Sequence, residues 1–284
     1  MALKIAIQKS GRLHDDSIQL LKDCGIAVKN GHNQLKSVAD NFPLEVYFLR
    51  DDDIPQYVED NVAHIGIVGE NVLFEKDRSV EVVEQLGFGK CRLSIAVQKG
   101  EQYANPDFLQ GKKIATSYPV LTQKFLEENK IIAEIHEISG SVEIAPGIGL
   151  ADAICDIVST GSTLLGNGLK EVETVMQSEA VIIANPDLEA EKQKILDKLL
   201  FRIEAVKKAK NNKYILMNCP DSAIEKITSV IPGMKSPTIV PLARKGWSSL
   251  HSVVDENDFW EKIDLLRDCG AEGILVIPIE KMIV

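Results

Sequence analysis

Through the first third of the chain, short apolar runs alternate with amphipathic stretches, each pair separated by a polar turn. Leu3–Gln8 (LKIAIQ) reads as a buried strand, Lys9–Arg12 as a turn, and Leu13–Cys24 as an amphipathic helix stopped by Gly25. Leu44–Leu49 (LEVYFL) predicts a second strand. Asp53–Glu59 predicts a short helix with Pro55 near its first turn, where the missing N–H has no helical partner to lose. Ile65–Val68 (IGIV) is a third strand, and Glu70–Glu75 starts the helix after it. Strand, turn and helix in repeated order predict parallel α/β layers.

A second unit opens near Arg92. Strands are expected at Leu93–Val97, Lys113–Thr116, Ala133–Glu137 and Cys155–Val158, with a helix over Val120–Asn129 and part of another over Ile148–Ala153. Ala180–Ala184 (AVIIA) reads as a strand returning to the first unit, and Lys192–Lys210 as a long charged connecting helix. After Asn211 the grammar changes. Tyr214–Asn218, Thr238–Leu242, Trp247–Val254 and Gly273–Ile277 are strands, with helices over Asp221–Val230 and Asp258–Cys269. That order, βαββαβ, is the ferredoxin-like plan of many small regulatory domains, and a plan is not a function. Leu21–Gly25 (LKDCG) echoes Leu266–Gly270 (LRDCG). Shared helix-ending grammar, with a left-handed glycine as cap, explains the echo more simply than duplication.

Length and composition narrow the classes. The 284 residues allow one large or two to three smaller domains. Aromatic residues are only 5%, so the cores must be built from Ile, Leu, Val and Ala, which suits buried parallel strands. A net charge of −10 argues against a nucleic-acid partner. It does not argue against small anions, which need only a local set of donors. Cys24, Cys91, Cys155, Cys219 and Cys269 are widely spaced with no CxxC, the usage of reduced cytosolic thiols. Cys155, in an apolar strand, reads as a small buried hydrophobe. His14, His32, His64, His136 and His251 show no metal-ligand spacing, and Trp247 and Trp260 are assigned to the C-terminal core. No long apolar leader and no apolar run of about 18 residues are found, so a cytoplasmic chain with no membrane partner is expected.

The segment richest in chemistry is Asp156–Leu164 (DIVSTGSTL). A buried strand delivers an acid, followed by Ser159, Thr160, Gly161, Ser162 and Thr163. Glycine lets the backbone approach a ligand, and hydroxyls with free N–H groups at a helix start form a phosphate cradle, beside which Asp156 can face ribose hydroxyls. An ordinary capped helix start has the same composition. Glu143, isolated among apolar and small residues, suits a ribose hydroxyl or a Mg²⁺-bound water, or simply a helix dipole. Asp152 reads as a helical residue or a structural cap. Lys9 and Arg12 follow the first strand, and ligands of open α/β sheets bind beyond the C-terminal strand ends. A solvated turn is the competing reading. Arg50 has the same placement, followed by three aspartates able to pair with it. Lys90 and Arg92 flank Cys91 at the inferred crossing between units, where ligand clefts are favoured.

Seven segments then resemble one family in order. These are Ile5–Leu13 (IAIQKSGRL), Gly66–Leu73 (GIVGENVL), Leu86–Leu93 (LGFGKCRL), Lys113–Pro119 (KIATSYP), Gly149–Leu164, Lys235–Leu242 (KSPTIVPL) and Gly270–Met282 (GAEGILVIPIEKM). Together they resemble the long form of the ATP phosphoribosyltransferases, over essentially the whole chain. The resemblance implies two catalytic domains like periplasmic binding proteins, 1–91 with 180–210 and 92–179, and a ferredoxin-like regulatory domain, 211–284, that binds histidine. It implies transfer of the phosphoribosyl group of phosphoribosyl pyrophosphate to N1 of ATP with Mg²⁺ as cofactor, in dimers and hexamers. Asp156 and Ser159–Thr163 fall on the family's phosphoribosyl pyrophosphate loop. Lys9, Arg12, Arg50, Gly69, Glu70, Lys90, Arg92 and Tyr118 fall around its ATP, with Asp156, Glu143, Lys9 and Arg12 as the catalytic set and the metal held mainly through substrate, near Glu143 or Asp156. Asn218, Ser236, Thr238 and Gly273 fall where the family contacts histidine, Asn218 replacing an aspartate of some relatives. The alternative is a non-catalytic bilobal binding or amino-acid-sensing protein, which has no use for a phosphate cradle with Lys9 and Arg12.

Overall fold

The computed structural model describes residues 2–29 and 34–283, so His32 lies outside them. The chain opens with β1 (Leu3–Gln8), α1 (Arg12–Asp23), β2 (Lys36–Val38), β3 (Leu44–Leu49), α2 (Ile54–Glu59), β4 (Ile65–Gly69), α3 (Glu70–Lys76) and β5 (Glu81–Gln85). It continues with β6 (Cys91–Gln98), β7 (Lys113–Thr116), α4 (Pro119–Glu128), β8 (Glu134–Glu137), β9 (Ala153–Val158), α5 (Ser162–Gly166) and β10 (Leu169–Ser178). β11 (Ala180–Ala184) and the long α6 (Ala190–Lys210) follow. The chain closes with β12 (Asn212–Pro220), α7 (Ile224–Val230), β13 (Thr238–Pro241), β14 (Trp247–Asp255), α8 (Glu256–Asp268) and β15 (Glu272–Pro278). Contacts divide it into two units between Leu196 and Asp197, within α6.

The first unit holds two sheets. One has the order β2-β3-β1-β4-β11-β5. β3, β1 and β4 are parallel, with Leu3 opposite Leu44 and Gln8 opposite Leu49, so neighbouring strands end side by side. The other has the order β10-β6-β9-β7-β8, with β7 parallel to β9 and β8. The chain passes from the first sheet to the second after β5 and returns through Glu179, the one residue between β10 and β11. Branched aliphatics fill these cores, as the low aromatic content requires. Ile54, Val58, Val68, Val72 and Ile183 cluster on the first sheet, and Leu93, Ile95, Ile114, Leu126 and Cys155 on the second. Helix α2 lies tight against β4. A Cβ on Gly66 would fall 2.5 Å from Ile54 Cγ2 and 3.1 Å from Val58 Cγ2, so only glycine permits this approach.

The expected helix over Ile148–Ala153 is absent. Val142–Ile144 forms one 3-10 turn, a series of turns follows, and Ala153 already begins β9. Pro146 supplies no N–H, and Gly147 and Gly149 favour turns, Gly149 at φ +76°. Asp152 acts as a cap of another kind. Its carboxylate accepts from the Lys113 N–H at 2.9 Å while its own N–H donates to the Lys113 carbonyl, which ties the start of β9 to β7.

The second unit contains the sheet β13-β14-β12-β15, antiparallel throughout. Its strand and helix order is the expected βαββαβ. Ile215, Met217, Cys219, Leu250, Phe259 and Leu266 form its core. The tryptophans do not. Trp260 is 61% exposed and meets Phe259 edge-on, while Trp247 is half-buried under the Arg244 guanidinium, 4.2 Å from the ring centroid. Phe259 takes the inward position instead, because α8 turns its Phe259–Leu266 stripe toward the sheet. The two echoed helix ends share their geometry. Gly25 (φ +70°) and Gly270 (φ +89°) are left-handed, and the next residue of each donates back to Leu21 or Leu266. Among the described residues no helix is long and apolar enough to cross a membrane.

Candidate functional site

Because β3, β1 and β4 are adjacent and parallel, whatever follows them shares one sheet edge. Lys9 and Arg12 follow β1, Arg50 follows β3, and Gly69–Glu70 stands at the junction of β4 and α3. The Lys9 N–H donates to the Leu49 carbonyl at 2.8 Å, which sets the Lys9 turn beside Arg50. Lys9, Arg12 and Arg50 are exposed, and Gly11 between the first two takes φ +93°. Of the aspartates after Arg50, Asp52 meets Lys76 at 4.0 Å.

The second sheet offers a matching edge. β9 ends at Val158 and runs into the hydroxyl segment, β7 ends beside it and leads to Tyr118, and antiparallel β6 starts there with Arg92 opposite Val158. In the segment itself, Gly161 is left-handed (φ +78°) and starts the short helix α5. The Thr160 and Ser162 hydroxyls lie 3.0 Å apart, and both residues, with Ser159 and Thr163, face solvent. Arg92 binds the segment from below. It donates to the Ser159 carbonyl at 3.3 Å, while its Nε and Nη2 reach the two carboxylate oxygens of Glu171, each at 2.5 Å. The Ser94 hydroxyl donates to the same carboxylate at 2.8 Å. Arg92 therefore holds Glu171 below the usual carboxylate range, and its fork geometry fixes the guanidinium in one plane.

Three further groups shape the centre. Asp156 sits near the end of β9 and accepts from the Ile157 N–H at 2.8 Å. Burial raises its carboxyl above the ordinary range, the Ile157 hydrogen bond opposes that, and the charge of Glu143 adds to it. Tyr118 is pushed upward by burial. Its hydrogen bond from Asn71 opposes the shift, and the charges of Asp156, Asp51 and Asp52 reinforce it. Cys155, fully buried, has its thiol pushed up to about 12 by burial, which leaves it inert as a nucleophile.

A cavity of about 480 Å³ gathers Glu70, Lys90, Arg92 and Ser159, together with Cys91, Gln177, Ser178 and Glu179. The structure thus brings four of the expected residues to one cavity, while Asp156 near the end of β9, Glu143 on the 3-10 turn packed against β9, and Tyr118 after the neighbouring β7 lie outside its lining. Lys9, Arg12 and Arg50 stand on the first sheet's edge. Among the described residues no group of three or more His, Cys, Asp or Glu is arranged to hold a metal by itself. In the second unit, Asn218 and Gly273 are neighbours, since a Cβ on Gly273 would lie 3.2 Å from Asn218 Nδ2. Ser236 and Thr238 lie at β13, on the opposite edge of the sheet. Glu171, Asn71, Glu75 and Ser178 were not expected here. Their partners lie 45 to 107 residues away, so no local spacing announces them.

Known proteins share this chain's sequence along nearly its full length. Residues 50–205 match the family model for ATP phosphoribosyltransferase, and residues 209–281 match that for the HisG C-terminal domain. An ATP phosphoribosyltransferase of Cytophaga hutchinsonii is 63% identical over 99% of this chain and 98% of its own length. One from Bacteroides thetaiotaomicron is 56% identical over 99% of this chain and 100% of its own. Among solved structures, a chain of an ATP phosphoribosyl transferase (HisG:HisZ) complex from Thermotoga maritima superposes with a TM-score of 0.61 at 31% identity, covering 71% of this chain and 98% of that one. A substrate-binding protein of an amino-acid ABC transporter superposes at 0.50 with 12% identity over 73% of this chain and 94% of that one, a likeness of fold alone. Cations at the ends of β1 and β3, a hydroxyl-rich strand end beside Arg92 and these relatives lead to one assignment: the chain belongs to the ATP phosphoribosyltransferase family.

Proposed function

We propose that the strand end at Asp156–Thr163, with the cations of the facing sheet edge, is where this chain performs its family's reaction. The chain is a pentosyltransferase. It moves the phosphoribosyl group of phosphoribosyl pyrophosphate to N1 of ATP and releases pyrophosphate, the first step of histidine biosynthesis. The observation that carries the site assignment is the junction of β9 and α5. A half-buried acid, a left-handed glycine and four exposed hydroxyl residues occupy one strand end, with Arg92 held beneath them. Solvent-facing hydroxyls on a left-handed glycine turn suit a 5-phosphate, and Asp156 suits the ribose hydroxyls.

In the reaction the bond from N1 to the anomeric carbon forms as the bond from that carbon to pyrophosphate breaks. Positive charge grows on the ribose and negative charge on the leaving group. We assign Asp156 and Glu143 to stabilising the first. Lys9, Arg12 and Lys90 supply charge for the second and for the ATP phosphates, with Arg50, Gly69, Glu70, Arg92 and Tyr118 around the nucleotide. Asp156, near the end of β9, and Glu143, on the 3-10 turn packed against β9, would hold Mg²⁺, which takes one or two carboxylates and completes its shell from phosphates and water. When bound, the metal neutralises pyrophosphate charge. The domains we assign are 1–91 with 180–210, and 92–179, for catalysis, with 211–284 as the regulatory domain.

In that regulatory domain we place histidine at Asn218, Ser236, Thr238 and Gly273, as a feedback inhibitor. Two strand spacings, about 10 Å, separate β13 from the strand of Asn218, and three, about 14 Å, separate it from the strand of Gly273. A single small ligand touches all four most readily where two copies meet, which supports a dimer to hexamer. Reading the chain as a non-catalytic binder rests on fold likeness alone, and the 12% identity of such neighbours carries no activity. The test is the product: incubation with ATP, phosphoribosyl pyrophosphate and Mg²⁺ should give a species whose NMR spectrum places the new anomeric carbon on adenine N1. Substrates that remain intact with the folded chain would overturn the proposal.

A further inference from the structure

Helix α3 belongs to the first sheet and α4 to the second, yet two side chains of α3 complete the start of α4. Glu75 accepts from the Val120 N–H and from the Leu121 N–H, each at 3.0 Å. These are the N–H groups that the first turn of a helix leaves without a partner, and Pro119 at the first position has none to offer. The cap that α4 would ordinarily take from its own sequence comes instead from 45 residues upstream. Asn71, one turn before Glu75 and so on the same face of α3, donates from Nδ2 to the Tyr118 hydroxyl at 3.0 Å. The Asn71 amide is itself locked. Its Oδ1 accepts from the Ser178 hydroxyl at 2.9 Å, and its backbone N–H donates to the same hydroxyl at 3.1 Å. Asn71 is buried, so this set of bonds has little competition from water.

Tyr118 is tied on its other side to the strand that carries Asp156. Its N–H donates to the Thr116 hydroxyl at 2.9 Å, and that hydroxyl donates to the Cys155 carbonyl at 2.7 Å. A continuous path of hydrogen bonds therefore runs from α3 through the Tyr118 ring to the residue preceding Asp156.

We propose that Asn71 and Glu75 are positioning residues for the transfer reaction: from one sheet they cap the helix of the other and hold the Tyr118 ring at a fixed place beside the Asp156 strand end. The inference rests on the functional reading above. It assigns to Asn71 and Glu75 no contact with substrate, and their effect passes through Tyr118 and α4.

A double-mutant cycle on the full-length chain separates positioning from mere stability. Asn71→Ala should lower kcat/KM about five- to tenfold, the worth of one neutral hydrogen bond, and Tyr118→Phe, which removes the acceptor, should do the same. In the Tyr118→Phe background Asn71→Ala should then cost no further activity, although its effect on melting temperature persists. In parallel, Glu75→Gln should speed amide exchange at Val120 and Leu121, a readout that needs no substrate. Fully multiplicative kinetic losses, or unaltered exchange at those two amides, would overturn the inference while leaving the functional reading intact. Absence of transfer by the wild-type chain would overturn the functional reading, and this inference with it.

Discussion

Asp156, which we propose holds the ribose, carries a cost in stability. Burial raises it above its ordinary 3.8, with the Glu143 charge adding to the effect. Between the ordinary and the raised value, the native state keeps a proton that the unfolded chain has lost, so stability falls as pH rises through that window and stays lowered above it. Asp156→Asn removes the titration. It should melt above the wild type at pH 7, with the advantage fading as the pH is lowered through the carboxylate range. It should also lose about 10- to 1,000-fold in kcat/KM, from a charge-assisted contact and some misalignment. Thermal melts at several pH values beside steady-state kinetics check this, and a variant both less stable and fully active would refute the assignment. Gly161 makes a complementary case. At φ +78° a side chain is strained, yet the space around it is open, with the nearest atom 3.9 Å from an added Cβ. Gly161→Val should therefore fold and bind phosphoribosyl pyrophosphate weakly by calorimetry. Wild-type affinity would remove the segment from the site.

Among the elements, those with an unbroken hydrophobic period were legible, and those whose pattern the fold interrupts were not. β1, β3, β4 and β11 are apolar runs in a buried sheet and stand out at once. β10 does not, because register shifts between Glu171 and Glu173 and between Thr174 and Met176 break its alternation. Its apolar positions fall at 169, 172, 175 and 176, a spacing closer to that of a helix. β2 and β5, on the sheet's two edges, bury too little to show a period. The Ile148–Ala153 segment misled for the opposite reason, since its apolar content suits a helix while Pro146, Gly147 and Gly149 forbid one. The hydroxyl segment and the cations were legible as residue types at strand ends, but Arg92 with Glu171, and Asn71 with Tyr118, are pairings that only the folded chain creates. Close packing gives an element-scale prediction. Gly66→Ala should lower stability by about 1–3 kcal/mol as α2 is forced off β4, read from the urea midpoint. An unchanged midpoint would show that α2 moves freely.

For the molecule as a whole, we propose a reaction in the first unit and a histidine signal received in the second. The βαββαβ order was readable from strand and helix periods, and the matching family model covers the same stretch. A histidine bound there inhibits only through a coupling free energy, typically about 1–3 kcal/mol. Asn218 on β12 lies beside Gly273 of β15 and offers a neutral amide. Asn218→Asp should strengthen histidine inhibition about 5- to 30-fold by turning an amide contact with the ligand's ammonium into an ion pair. The uninhibited rate should stay as it is. Inhibition curves on the full chain test this, and an unchanged histidine response would place the sensor elsewhere.

The central claim is that this chain joins adenine N1 to the phosphoribosyl group. The most direct measurement is ultraviolet absorbance on mixing it with ATP, phosphoribosyl pyrophosphate and Mg²⁺, with pyrophosphate counted in the same sample, because substitution at N1 alters the adenine chromophore. The account predicts an absorbance change that requires both substrates, keeps pace mole for mole with pyrophosphate release, and is strongly slowed in Asp156→Asn. Pyrophosphate release with no change in the adenine band, or no release from a folded chain that binds both substrates, would contradict it.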